Sequence, residues 1–147
     1  MDIVITFVNG LDPVWQREYE EYTNTPILEK RFRDWGTLKY LFRGIAKNMP
    51  FIRKVHLVVS GESQVPEWVN RDEVNVVLHR DIIPKHLLPT FNCNPIEMHL
   101  HNIEGLAFKE IFFQKLNTFG EVQWMQQGSA ADESIYSRVE IQLKTNG

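Results

Sequence analysis

The chain alternates between short apolar runs of strand type and longer stretches with helical spacing. Residues 2–8 form a continuous β-branched run that reads as a buried parallel strand, ending at Asn9-Gly10-Leu11-Asp12-Pro13, which is turn chemistry. Residues 14–22 follow as an amphipathic helix with Trp15, Tyr19 and Tyr22 on one side. Residues 35–48 predict a stronger helix: Trp35, Leu38, Leu41, Phe42, Ile45 and Met49 make its apolar stripe, Asp34 stands at the N-cap, and Met49-Pro50 stops it. Residues 55–60 and 74–78 predict two more buried strands, with a short turn or helix over 65–69 between them.

From Asn94 the spacing becomes helical again, with Ile96, Leu100 and Ile103 at i, i+4 and i+7. Asn94 reads as the N-cap, Pro95 suits the first turn, and Glu97 takes the capping-box position. Glu97 and His101 are four apart and are expected on one face; His99 and His101, two apart, are expected to diverge and not to share an ion. Residues 109–113 predict a fourth strand, Val139, Ile141 and Leu143 an edge strand, and 123–134 show no period. Strands alternating with helices predict an α/β, three-layer domain with a mainly parallel sheet.

Composition narrows the classes without naming one. The 147 residues suit one domain, and 43% hydrophobic with 24% charged residues is ordinary for a globular protein. A net charge of -3 gives no case for nucleic acid as a partner, yet eight of the 16 Lys and Arg fall between Lys30 and Lys54 against a single acid, Asp34. That segment suits an anionic small molecule or an acidic surface. One cysteine, Cys93, excludes an internal disulfide and a cysteine zinc cluster, and fits a reducing compartment. Met1-Asp2 runs straight into a strand pattern with no basic leader, and no apolar run approaches the ~18 residues that span a membrane. The expected location is cytoplasmic or peripheral at the membrane; the oligomeric state is left open.

Candidate chemistry gathers where strands end, because ligands of open α/β sheets bind beyond the carboxyl ends of strands. Asn9 and Asp12 are so placed, and read equally as ligands or as turn formers. Ser60, Gly61, His79 and Asp81 end the next two strands, with Asp81 either a metal ligand or a cap. Lys39, Arg43 and Lys47 recur at i, i+4 and i+8, the pattern of a solvated helix face, whereas Arg31 and Arg33 precede a helix start and suit a phosphate. The helix start in the stretch from Leu88 to Gly105 likewise suits an anion. There is no nucleophile elbow, Walker A sequence or dinucleotide glycine fingerprint.

Several phrases carry a resemblance. Ile3-Val-Ile-Thr-Phe-Val-Asn-Gly-Leu-Asp-Pro-Val-Trp15 resembles the first conserved block of the Stealth phosphotransferases. Arg33-Asp-Trp-Gly-Thr-Leu-Lys-Tyr40, Pro50-Phe-Ile-Arg-Lys54, Pro66-Glu-Trp-Val-Asn70, and Leu88-Pro-Thr-Phe-Asn92 through Ile96-Glu97, His101 and Gly105-Leu106 resemble the second. The resemblance divides the chain into conserved regions one and two over residues 1–113 and a divergent tail over 114–147. It implies a nucleotide-sugar-binding core like that of the glycosyltransferases of type A. The implied activity is transfer of a sugar 1-phosphate from a nucleotide sugar to a glycan hydroxyl in capsular or exopolysaccharide synthesis, with Mg²⁺ or Mn²⁺. The residues it marks are Asp12, Arg43 and His101 as catalytic, and Asn9, Arg33, Lys39, Thr90, Asn92 and Glu97 as substrate-binding; it names no metal ligand. The family's strand ending Asn-Asp-Asp is replaced here by Gln114-Lys-Leu-Asn117, and its third and fourth blocks are missing. These departures leave two other readings, a non-catalytic nucleotide-sugar-binding remnant and a conventional glycosyltransferase.

Overall fold

A computed structural model describes residues 1–27, 32 and 34–106 in full, and the backbone of three strands at 111–116, 122–127 and 137–139. Six strands form one sheet: β1 (Asp2–Thr6), β2 (Lys54–Val59), β3 (Val74–Leu78), β4 (Ile111–Leu116), β5 (Val122–Gln127) and β6 (Ser137–Val139), in the order β3-β2-β1-β4-β5-β6. The first four neighbours in that order are parallel, and β5 and β6 are added antiparallel.

The pleat sorts the strand residues between two cores. On one face Val4, Val58 and Val77 pack against Ile82, Ile83, Ile96, Leu100, Ile103 and Leu106 from the segment joining β3 to β4. On the other, Ile3, Ile5, Leu57, Val59, Val74 and Leu78 pack against Leu38 and Ile45, with Leu41, Phe42 and Met49 half-buried beside them. Those last residues come from α2 (Leu38–Asn48) and its end, so the sheet lies between two covering layers. This is the three-layer α/β arrangement with a mainly parallel sheet that the alternation predicts.

Several boundaries differ from the sequence reading. Helix α2 begins at Leu38 with Thr37 at the cap, not at Trp35 with Asp34. Asp34 instead accepts the Gly36 N–H at 2.8 Å, and Gly36 sits at φ 66°, so a tight turn precedes the helix. After β2 the chain makes a 3-10 turn at Glu62–Gln64, ahead of the turn expected over 65–69. Strand β5 falls in a stretch without period, and β4 ends three residues later than expected, at Leu116. Of the predicted edge strand only Val139 lies in β6; Ile141 and Leu143 are outside the described residues.

A buried polar chain ties the start of the sheet together. Asp2, fully buried, takes paired hydrogen bonds from the Arg53 guanidinium, with Nε at 2.9 Å. Its Oδ2 also lies 3.3 Å from His56 Nε2, and Asn75 Nδ2 lies 2.9 Å from His56 Nδ1. Arg53 reaches on to the Gly105 carbonyl at 2.7 Å, clamping the turn that closes the β3–β4 connection. Burial lowers the His56 pKa, with Asp2 pulling the other way, so a neutral ring donating from Nε2 and accepting at Nδ1 satisfies both neighbours.

Candidate functional site

The chain runs outward from β1 to β2 and β3, then crosses back to place β4 on the other side of β1. The strand order therefore reverses at β1, and in such sheets the ligand crevice opens at the carboxyl end of the strands that flank the reversal. Two of the marked segments bear on that position: the loop after β1, with Asn9 and Asp12, and the part of the β3–β4 connection around Thr90 and Asn92, which Phe91 joins to the helix after that loop.

The β1 loop is built around Gln64, a residue the sequence reading passed over. Its side chain is buried and fully engaged: Oε1 accepts the Asn9 N–H at 2.6 Å, and Nε2 donates to the Asn9 carbonyl at 3.1 Å and to Asp12 Oδ2 at 2.7 Å. Ser63 Oγ donates to the same carboxylate oxygen at 2.6 Å, and Asp12 Oδ1 accepts the Val14 N–H at 3.0 Å as the N-cap of α1 (Pro13–Thr23). Burial opposes ionisation of Asp12, but these donors outweigh it and hold its carboxyl below the usual range. Asn9 Oδ1 accepts the Leu11 N–H at 3.0 Å. Both residues thus shape the turn, and Asp12 does so as a buried carboxylate bonded to the start of α1 and to the turn after β2. The signal for Ser63 and Gln64 was their place just after a buried strand, one turn beyond Ser60 and Gly61.

Helix α1 carries the second segment. Trp15, Tyr19 and Tyr22 on its inner face meet Phe91, at ring separations of 5.6, 5.1 and 5.4 Å. Phe91 stands between the marked residues Thr90 and Asn92, so this aromatic contact brings their loop to the helix that Asp12 caps. Phe32 joins the cluster against Trp15 and Tyr19, and a Cβ at Gly10 would lie 2.2 Å from the Phe32 carbonyl oxygen. Gly10 is therefore required by close backbone approach. Arg33, with Arg31, lies outside the described residues.

The helix after this loop is shorter than its periodicity predicts. After the single turn α3 (His79–Ile82), α4 runs Cys93–Met98, and its cap is Asn92, whose Oδ1 accepts the Asn94 N–H at 3.1 Å; Thr90 Oγ1 in turn bonds the Asn92 backbone. Asn94 is inside the first turn, and Pro95 sits where a missing N–H costs nothing. The helix breaks at His99, whose Nδ1 donates to the Pro95 carbonyl at 2.7 Å and so takes the acceptor that an α-helical N–H would use. A 3-10 turn, Leu100–Asn102, follows. Two expectations fall with this break. Glu97 and His101 are not related by a continuous α-helix, and His99 and His101 do not diverge: their rings stack with centroids 6.3 Å apart. His101 remains exposed, and Glu97 is half-buried beside the buried Ile96.

The third marked group stands apart. Lys39 and Arg43 are exposed on α2, each over the Tyr40 ring, at 5.1 and 5.7 Å. Among the described residues no hydrogen bond or ion pair joins either to the β1 loop or to the β3–β4 connection. Asp81, left open as ligand or cap, accepts the Leu78 N–H at 3.1 Å and is a cap. Among the described residues no three His, Cys, Asp or Glu side chains converge to hold a metal ion. Asp12, the buried carboxylate of the β1 loop, is shared by Val14, Ser63 and Gln64.

Helices on both faces of a mainly parallel sheet whose strand order reverses at β1 define an α/β domain of the doubly wound class. Residues 31–128 match the sequence profile of Stealth protein CR2, conserved region 2, and the chain belongs to the Stealth family. It is 40% identical over 122 residues to a receptor polysaccharide phosphotransferase of Streptococcus oralis, and 38% identical over 122 to a capsular polysaccharide phosphotransferase of Streptococcus pneumoniae; each match covers 77% of this chain and 36% of the relative. A capsular polysaccharide phosphotransferase of Streptococcus thermophilus is 37% identical over 122 residues, covering 77% of this chain and 50% of its own length. The chain thus spans between about a third and half of these relatives.

Proposed function

We propose that this chain supplies the donor-binding part of a polysaccharide phosphotransferase, which moves a sugar 1-phosphate from a nucleotide sugar to a glycan hydroxyl in the cytoplasm. The observation that carries the reading is the packing of Phe91, between Thr90 and Asn92, on the helix that Asp12 caps just after β1. Phosphoryl transfer asks the protein chiefly for positioning and charge neutralisation. The rigid β1 loop offers the first: Gln64 and Ser63 fix Asp12 and Asn9, leaving a defined wall for a donor. The loop of Thr90 and Asn92, joined to α1 by Phe91, is assigned to the other side of the donor, and the exposed His101 is assigned proton transfer to or from the acceptor hydroxyl. Arg33 is assigned to the donor phosphates, as its place in the family's phrase suggests. No step is routed through a divalent ion.

The replacement of Asn-Asp-Asp by Gln114-Lys-Leu-Asn117 favours a second reading, donor binding without turnover. Incubation with labelled nucleotide sugars and a glycan acceptor, with and without EDTA, separates the cases. Release of the nucleoside monophosphate supports phosphotransfer, and its loss in EDTA shows a metal requirement. Saturable donor binding without release supports the second reading. Release of the diphosphate overturns both in favour of a conventional glycosyltransferase.

A further inference from the structure

The cations of α2 are left without a role by the switch-point site. From Trp35 to Gly61 the chain holds Lys39, Arg43, Lys47, Arg53 and Lys54 and no acidic residue, in a chain whose net charge is -3. Arg53 is committed to Asp2. Lys39, Arg43 and Lys47, four apart, form one exposed stripe, and none pairs with a carboxylate among the described residues. Helix stability does not explain the stripe. Lys39 stands in the first turn of α2, where a cation opposes the helix dipole and the turn holds no acid to offset it; only Lys47, in the last turn, is well placed. Large exposed aromatic side chains accompany the stripe. Tyr40, 60% exposed, lies beside Lys39 and Arg43, while Trp35 and Phe51, which bracket the helix, are 71% and 59% exposed.

We propose that this exposed face of α2 is a docking surface for an anionic lipid bilayer, the lysine and arginine ends meeting the headgroups and Tyr40, Trp35 and Phe51 entering the interface. The opposite face of the helix is held on the sheet by Leu38, Ile45, Leu41 and Phe42, so α2 lies flat and presents its stripe as part of a rigid body. Such a pairing of cations with amphipathic rings matches the chemistry of the bilayer boundary, where rings bury their apolar body and long cationic stems extend their charge to the lipid phosphates. A soluble acidic polymer would satisfy the cations but leave the three rings in water, which favours the bilayer. The proposal does not depend on the transfer reaction.

Cosedimentation with vesicles tests it. The protein should pellet with vesicles of phosphatidylglycerol and phosphatidylcholine in equal parts, remain in solution with phosphatidylcholine alone, and be released as salt rises. Replacing Lys39, Arg43 and Lys47 together by Gln should lower partitioning roughly a hundredfold, since each surface charge contributes about fivefold. Tyr40→Ala with Phe51→Ala should weaken binding at high salt more than at low salt. Unchanged thermal unfolding by circular dichroism confirms that these variants fold. The proposal is overturned if the wild type ignores the anionic vesicles, binds neutral ones equally, or binds undiminished in the triple variant. Binding to heparin but not to vesicles, lost in the triple variant, would overturn it in favour of an acidic macromolecule.

Discussion

The residues that decide the site are held by hydrogen bonds whose partners are far apart in sequence. Gln64 saturates the amide and carbonyl of Asn9 and one oxygen of Asp12 from 55 and 52 positions away. Gln64→Leu keeps the volume but strands these groups in a buried place, and should lower the unfolding free energy by about 2–4 kcal/mol in urea titration. Gln64→Glu should be no better, because it sets a second carboxylate against Asp12. A variant as stable as the wild type would show that the loop is not built on Gln64. His79, buried where β3 ends, is pushed down from 6.5 to about 4 by burial. The unfolded imidazole takes up its proton at the higher value, so the stability from the neutral ring is full above 6.5 and lost as pH falls toward 4. His56, also lowered chiefly by burial, adds loss in the same direction. From about pH 7.5 to about pH 5 the His79 contribution should fall by about 2 kcal/mol, and His79→Leu should remove that part of the slope in urea midpoints. An unaltered slope would assign the dependence elsewhere.

At the scale of elements, strands and the first helix were legible because apolar runs and aromatic spacing are local signals. β3 matches its predicted bounds, and α1 extends the predicted helix by one residue at each end. The loop geometry was less legible, because it depends on contacts between distant segments. Asn92 and Asn94 are equal as caps by residue type; the Thr90 turn and the Phe91 anchor select Asn92. The early end of α4 likewise turns on one side-chain bond, from His99 to Pro95, in a sequence whose apolar spacing runs on to Ile103. The same logic gives a prediction for Phe91, the link between α1 and the marked loop. Phe91→Ala should cost about 2–3 kcal/mol, less than a fully buried Phe because the ring is half-exposed. Its amide hydrogen exchange should quicken from Thr90 to Asn94 while β1 and β2 stay protected. Equal protection of that loop in the variant would mean that other contacts hold it.

For the molecule as a whole, the parallel sheet followed from the alternation of elements, but the reversal at β1 did not. It requires β4 to return beside β1, and the sequence offers no local mark of which side a strand joins. That reversal sets the loop of Asn9 and Asp12 at a crevice position, and the Phe91 contact with α1 brings the loop of Thr90 and Asn92 beside it. Lys39 and Arg43, exposed on α2, share no hydrogen bond or ion pair with either loop among the described residues. Family membership gives the crevice its proposed ligand, a nucleotide sugar. The most direct measurement is a titration of the ¹⁵N-labelled protein with a panel of nucleotide sugars, followed by amide shifts. Saturable shifts are expected at Asn9–Leu11, Thr90–Asn94 and Glu97–His101, with α2 unmoved. Shifts confined to α2, or none with any donor, would contradict the proposed donor site.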